Sequence, residues 1–394
     1  MKIAFLIFVG YAVGGLLYSP GLPSLTALAF IVFSCSPLLL SVGDGPRGGG
    51  VRFPVPRRFV YWSIVALGFF NLSIIAAAVG RPVTDLFSPD GIVGIAALST
   101  HQRYELQSDS GSGSPIILAL SLWLVFRIGT VADRFPVVLR AVGALPIVLY
   151  SLVTTEKWPM FLAGVFFFAG IFIGFPNRTA LRMAAWHLAV VAPVGLLVGG
   201  LAMVLRGSTL TQIESDLIHY VLAPYAAFGS WLIAGSGTDC CALGMRSLVG
   251  PLDAVGATVR GVGGGVGDNS ILIHGQLTNI YTAFRYVVED FSVIGPFLIA
   301  CWFSATHFGL TMLGSTALAR QLSAFTVFAA LLSVSVTPFV HNSVAFAVSL
   351  SLASTLARAI RLPPPPALTH PARGERAWEE EEELLHQHSG VSNS

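Results

Sequence analysis

The sequence predicts an all-α polytopic membrane protein, and three observations carry that expectation. Of the 394 residues, 54% are hydrophobic and only 11% are charged, against roughly 25% charged in ordinary soluble domains. The mean hydropathy is +0.75. The apolar residues fall into runs of 16 to 22 residues, and roughly 20 apolar residues carry a helix across a bilayer. An ordinary soluble globule and a disordered chain are both excluded.

The first run, 3–18, follows Met1-Lys2 and resembles a signal-peptide core. The residues after it, Tyr18-Ser-Pro-Gly-Leu-Pro, lack a small-x-small cleavage site, so it is expected to remain as a first span. Further runs lie at 22–41, 59–80, 115–130, 136–153, 158–176, 184–205, 217–234, 292–312, 322–340 and 341–360. Pro338 and His341-Asn342 mark the break between the last two. About ten to eleven transmembrane helices are therefore expected, within a membrane domain spanning 1–362.

Orientation follows from arginine placement, because short cytoplasmic loops are enriched in positive charge. Arg47, Arg52, Arg57 and Arg58 lie between the second and third runs, which places that loop and the N-terminus in the cytoplasm. Loop 81–114 is then external, Arg127 to Arg134 internal, Thr154 to Lys157 external and Arg178 to Arg182 internal. The run 217–234 decides the rest. As a full crossing it would put 235–290 in the cytoplasm and the tail outside. As a broken or re-entrant external segment it leaves 206–290 as one external region and keeps Arg320, Arg358 and Arg361 inside. Pro224 and Gly229 interrupt it, and His219 and Tyr220 open it, which favours the re-entrant form. The remainder, 363–394, begins with Pro363 to Pro366 and carries Glu379 to Glu383, the composition of a disordered cytoplasmic tail.

Several function classes are excluded or disfavoured. The formal charge of +2 is small and the basic residues are scattered, so no nucleic-acid surface forms. Cys35 and Cys301 sit in apolar runs as small hydrophobes, and the adjacent Cys240 and Cys241 lack CxxC spacing, so no metal site or cofactor is expected. No internal repeat of the kind many transporters carry is visible, and ionisable residues are sparse within the runs. The glycine-rich stretch Gly261 to Asp268 contains Gly-x-Gly-Asp but no partner Asp in an apolar run, and no P-loop lysine follows it. It is expected to be a flexible lid or connector.

The densest cluster of chemistry-bearing side chains is 278–295. If it is helical, Tyr281, Arg285 and Glu289 recur every four residues and offer a phenol, a guanidinium and a carboxylate on one face. The alternative is a juxtamembrane helix with an ion pair and an interfacial aromatic belt. The pattern Asn279-x-Tyr281-Thr282, Arg285 and Asp290-Phe291 before Gly295 resembles the signature of the oligosaccharide repeat unit polymerases, the Wzy or O-antigen polymerase family. Further pieces occur in order: Gln102-Arg103-Tyr104, Lys157-Trp158, Tyr220 to Trp231, and Gly244-x-Arg246-Ser247. Members often continue the Asp-Phe with Gly where this chain has Ser292, and often place Pro where it has Tyr286.

The resemblance implies a metal-independent glycosyltransferase in the bacterial inner membrane. It would join undecaprenyl-pyrophosphate-linked oligosaccharide units into surface polysaccharide, with the active site facing the periplasm. It also implies a chain-length regulator and a flippase as partners. A pyrophosphate leaving group calls for cations where charge develops, and Arg103, Arg206, Arg246 and Arg285 are the external candidates. The acceptor hydroxyl needs a base: helical spacing favours Glu289 and the family pattern favours Asp290, so Asp290 is placed first with Glu289 beside it, and His274 and His219 are further candidates. Asn279 and Tyr281 would orient sugar hydroxyls, as would Tyr104, Tyr220 and Trp231. Two alternatives stand beside this expectation: an O-antigen ligase with a similar donor, and a flippase or transporter for the lipid-linked sugar.

Overall fold

A computed structural model of the chain describes residues 1–39, 53–104, 113–156, 158–175, 177–205, 209–234, 271–274, 276–278, 282–313, 316–333 and 342–359, with the single positions Leu248 and Leu252. The chain divides into two compact units, Met1–Thr355 and Leu356–Ser394. Of the second, the described residues are Leu356–Ala359, the last turn of a helix, so the tail expected from Pro363 onward lies outside the described residues.

The regular structure of the described residues is helical apart from one small hairpin. In chain order the helices are α1 (Lys2–Tyr18), α2 (Leu22–Cys35), α3 (Arg58–Ala78), α4 (Pro89–Tyr104), α5 (Pro115–Gly129), α6 (Val137–Val153), α7 (Trp158–Gly174), α8 (Asn177–Leu205) and α9 (Leu210–Ile233). The strands β1 (Ile271–Ile273) and β2 (Gln276–Thr278) follow, and then α10 (Ala283–Phe291), α11 (Gly295–Met312), α12 (Thr316–Leu332) and α13 (Asn342–Ala359). Proline opens α2, α5 and α11 in the first turn, where its missing N–H has no helical partner to lose.

The all-helical expectation therefore holds in outline. Among the described residues, two stretches are long and apolar enough to cross a membrane, Leu22–Leu39 and Arg58–Ala78, and the bent pair α10 and α11 makes a third if it counts as one span. Shorter apolar helices of 10–17 residues accompany them, α1, α5, α6 and α7 included.

Two elements differ from the sequence expectation. Loop 81–114 contains α4, which buries Ile95, Ala96 and Ser99. Its polar ends and several small residues keep it below the hydropathy of the other runs. The second difference is at 217–234, which is not broken: α9 runs unbroken from Leu210 to Ile233 with Pro224 inside it, although its apolar part, Val221–Ile233, is shorter than a full crossing needs. Proline removes one helical hydrogen bond, and packing compensates for the loss. Ala223, Tyr225, Ala226, Ala227 and Phe228 around it are all buried, and α9 lies against α1 and α2. The break occurs instead between α10 and α11, which meet at 100°.

Two apolar cores organise the first unit. One joins α3, α5, α6 and α7 around Ile75, Leu122, Phe126 and Phe166, with Phe328 of α12 stacking edge-on to Phe166 at 5.4 Å. At their C-terminal ends α5 and α7 approach backbone to backbone. A Cβ on Gly129 would strike the Phe167 carbonyl oxygen, and one on Gly174 would strike that of Thr130. The second core joins α1, α2, α9 and α10 around Tyr225, Phe228, Trp231 and Phe284.

Four arginines tie one end of the first core together. Arg127 Nη2 donates to the Pro54 carbonyl at 3.0 Å, and Arg134 Nη2 to that of Phe53 at 3.1 Å. Arg320 at the start of α12 donates to the Phe175 carbonyl after α7 at 3.3 Å. Arg140 Nη1 meets His187 Nε2 at 2.8 Å; that ring's Nδ1 is 2.7 Å from the Met183 carbonyl, so Nδ1 carries the proton and Nε2 accepts. Among the described residues, this end gathers Arg57, Arg58, Arg127, Arg134, Arg140, Arg178, Arg182 and Arg320 against one acid, Asp133. The opposite end, where Thr100 Oγ1 meets Thr155 Oγ1 at 2.9 Å, holds Arg81, Asp85, Asp90 and Glu156.

Candidate functional site

The short helix α10 is held by its first residues. Thr282, its buried N-cap, is extended, and the Ala283 N–H donates to the Ser333 carbonyl at 2.9 Å, just past the end of α12. Ser333 is fixed in turn. Its hydroxyl donates to the Ala330 carbonyl at 2.6 Å, which leaves Tyr225 Oη of α9 to donate to Ser333 Oγ at 2.8 Å. Phe284 then wedges into the second core, with ring centroids 5.2 Å from Phe8 and 6.2 Å from Phe228. Val288, one turn on, is fully buried.

With 284 and 288 committed to the core, 285 and 289 share the neighbouring face. Arg285 Nε and Glu289 Oε1 form an ion pair at 2.8 Å, with side-chain exposures of 6% and 16%. The Arg285 guanidinium carbon also lies 5.4 Å from the centroid of the Trp231 ring of α9, so an aromatic face orients the cation from a second side. Trp231 stacks on Phe228 with centroids 5.9 Å apart. Asp290, the next residue, is 0% exposed. Of the two carboxylates, Glu289 keeps some exposure and Asp290 has none.

The bend follows at once. Ser292 has φ 64° and ψ 179°, a backbone region that only glycine occupies without strain. The Gly295 N–H donates to the Ser292 carbonyl at 2.9 Å and opens α11. A Cβ on Gly295 would stand 2.6 Å from that of Phe291, so glycine lets the two helices meet this closely.

The structure thus brings together Arg285, Glu289 and Trp231, with Asp290 beside them in sequence but buried. The third member expected on the Arg285–Glu289 face, Tyr281, precedes the N-cap of α10 and lies outside the described residues, as do Asn279, Arg206 and Arg246. Arg103 and Tyr104 form the C-terminal end of α4, and Tyr220 lies within α9; their side chains are outside the described residues.

The two candidate histidines form a second cluster with a residue that sequence reasoning did not single out. His274 occupies the turn of the β1–β2 hairpin with φ 52°, which suits a two-residue hairpin loop. Its Nε2 donates to the Tyr18 carbonyl at 2.6 Å, and Tyr18 Oη lies 3.2 Å from His219 Nδ1. His274 therefore spends one ring nitrogen holding the hairpin to the end of α1. Tyr225 and Ser333, which hold α10 in place, were also missed. Tyr225 sits inside the Tyr220–Trp231 stretch noted above, while Ser333 carries no sequence signal of its own.

The site lies far from the arginine-rich end. Arg320 near the start of α12 belongs to that end, whereas Ser333, which receives α10, follows thirteen positions later, about 20 Å along a helix. Among the described residues, no group of three or more His, Cys, Asp or Glu side chains is placed to share a metal ion. In comparisons with known proteins, no family model, curated protein or solved structure matches the chain.

Proposed function

We propose that this chain is an inner-membrane glycosyltransferase of about ten to eleven spans that polymerises undecaprenyl-pyrophosphate-linked oligosaccharide units on the periplasmic face. One observation carries this reading: a buried, aromatic-backed Arg285–Glu289 pair on a short helix at a sharp bend, about 20 Å from the arginine-rich end. Arginine-rich ends face the cytoplasm in membrane proteins, so the pair is assigned to the opposite, external side. The resemblance of 279–295 to the repeat unit polymerases supplies the substrate class.

The chemistry then runs through this chain's own groups. The acceptor hydroxyl oxygen attacks the anomeric carbon of the donor glycan, and the bond from that carbon to the pyrophosphate oxygen breaks. The electron pair leaves with the pyrophosphate, and the hydroxyl proton passes to the Glu289 carboxylate. Arg285, already oriented by Glu289 and Trp231, meets the charge developing on the leaving group with little reorganisation. Asp290, fully buried beside Glu289 in the chain, is the second carboxylate of the site.

The test is surface polysaccharide length on gels, in a strain lacking this chain, complemented at equal membrane abundance. Wild type is expected to restore a ladder, and Arg285→Ala and Glu289→Ala to leave only single-repeat capping. Normal ladders from both variants would remove the site. An unchanged length in the deletion strain would remove polymerisation and leave transport of the lipid-linked sugar, while short repeats accumulating on carriers uncoupled from core would mark a ligase.

A further inference from the structure

The arginines at the basic end are not equivalent. Arg127, Arg134, Arg140 and Arg320 each reach a carbonyl or a histidine ring of the protein. Arg178 and Arg182 are exposed and make no hydrogen bond or ion pair with a described residue. They stand one turn apart on α8, with Trp186, 58% exposed, one turn further on. Residues four apart lie on one helix face, so the three form a stripe, two guanidiniums followed by an indole. Beyond it the exposed surface of the helix is apolar, with Leu196 and Leu197 both outward.

The length of α8 gives the stripe a meaning. Its 29 residues extend about 43 Å, against a hydrocarbon thickness of about 30 Å. The helix also has a fixed depth mark: His187 is held to Arg140, only three residues into α6. The first turns of α8 therefore reach past the start of α6, at the level of a headgroup layer. The order along the stripe is cation, amphipathic ring, hydrocarbon side chains. A phospholipid presents the same order from phosphate through glycerol ester to acyl chain.

We infer that the Arg178–Arg182–Trp186 stripe of α8 is a docking surface for the phosphate-bearing headgroup of an anionic phospholipid in the leaflet at the basic end. The two arginines hold phosphate oxygens, Trp186 packs at the ester level, and the apolar face beyond receives an acyl chain. The surface requires a membrane around the bundle and is independent of the glycan chemistry at Arg285.

The experiment is native mass spectrometry of the purified full-length protein, counting bound phosphatidylglycerol against phosphatidylcholine at matched concentration. Wild type is expected to prefer phosphatidylglycerol, and loss of each arginine to cut that preference about fivefold. Arg178→Gln/Arg182→Gln should abolish it, Arg178→Lys/Arg182→Lys should keep most of it, and Arg57→Gln should leave it unchanged. Equal preference in wild type and the double glutamine variant would overturn the inference. So would displacement of the lipid by millimolar inorganic phosphate, which would mark a soluble-anion site instead.

Discussion

Arg285 and Glu289 are each more than four-fifths buried at the side chain, so removing one partner strands a charge in an apolar setting. Arg285→Ala is expected to cost about 3–5 kcal/mol, read as a fall in thermal midpoint in detergent. The double variant Arg285→Ala/Glu289→Ala should lose clearly less than the two single losses added together. Additive losses would mean the pair does not couple. Arg285→Lys should fail to restore a polysaccharide ladder, because a lysine ammonium cannot both reach Glu289 and lie flat over Trp231. Ser292 gives the opposite sign: glycine tolerates its φ and ψ where serine does not, so Ser292→Gly should stabilise by about 1 kcal/mol. A lower midpoint for that variant would show the turn is not strained. The resembled family often carries glycine at this step, and the backbone gives that preference a reason.

At the scale of elements, the α10–α11 bend and the α5–α7 crossing both depend on missing side chains. Gly295→Ala would push a methyl against the Phe291 Cβ, and overpacking of this kind costs about 1–3 kcal/mol. Because the bend carries the Arg285 turn, loss of the ladder should accompany the loss of stability. Full activity at an unchanged midpoint would contradict the close approach. Gly129→Val sets a side chain against the backbone of α7, and is expected to abolish folded protein in membranes, measured as monodisperse material after extraction. The sequence shows such elements unevenly. The apolar runs of α3, α5, α6 and α7 are continuous and match their helices closely. α4 escaped because its burial rests on a few residues, Ile95 and Ala96 among them, rather than on a long apolar run. Pro224 pointed to a break in α9 that the packing of α1 and α2 does not allow.

For the whole molecule, the charge asymmetry of its two ends is the quantity with the widest consequence. In the proposed orientation, with the native cysteines replaced, a cysteine at Ser88 should react with an impermeant reagent from the periplasm, and one at Arg57 only after the membrane is opened. The reverse pattern would invert the molecule and place the Arg285 pair on the cytoplasmic side, away from any lipid-linked glycan on the outer face.

The sequence by itself determined the helical architecture, the apolar runs and the clustering of arginine in alternate loops, because hydropathy and charge are properties of short stretches. It also determined the Arg285–Glu289 pair, since a spacing of four is a property of a single helix. Only the tertiary structure decided that Trp231 backs the arginine, that Asp290 is buried while Glu289 keeps some exposure, that Tyr225 and Ser333 hold the start of α10, and that the bend falls at Ser292 rather than Pro224. Each of these depends on contacts between residues far apart in the chain, from Tyr225 with Ser333 to Gly15 and Gly229 packed on neighbouring helices. No local pattern encodes which of two equally apolar faces will meet.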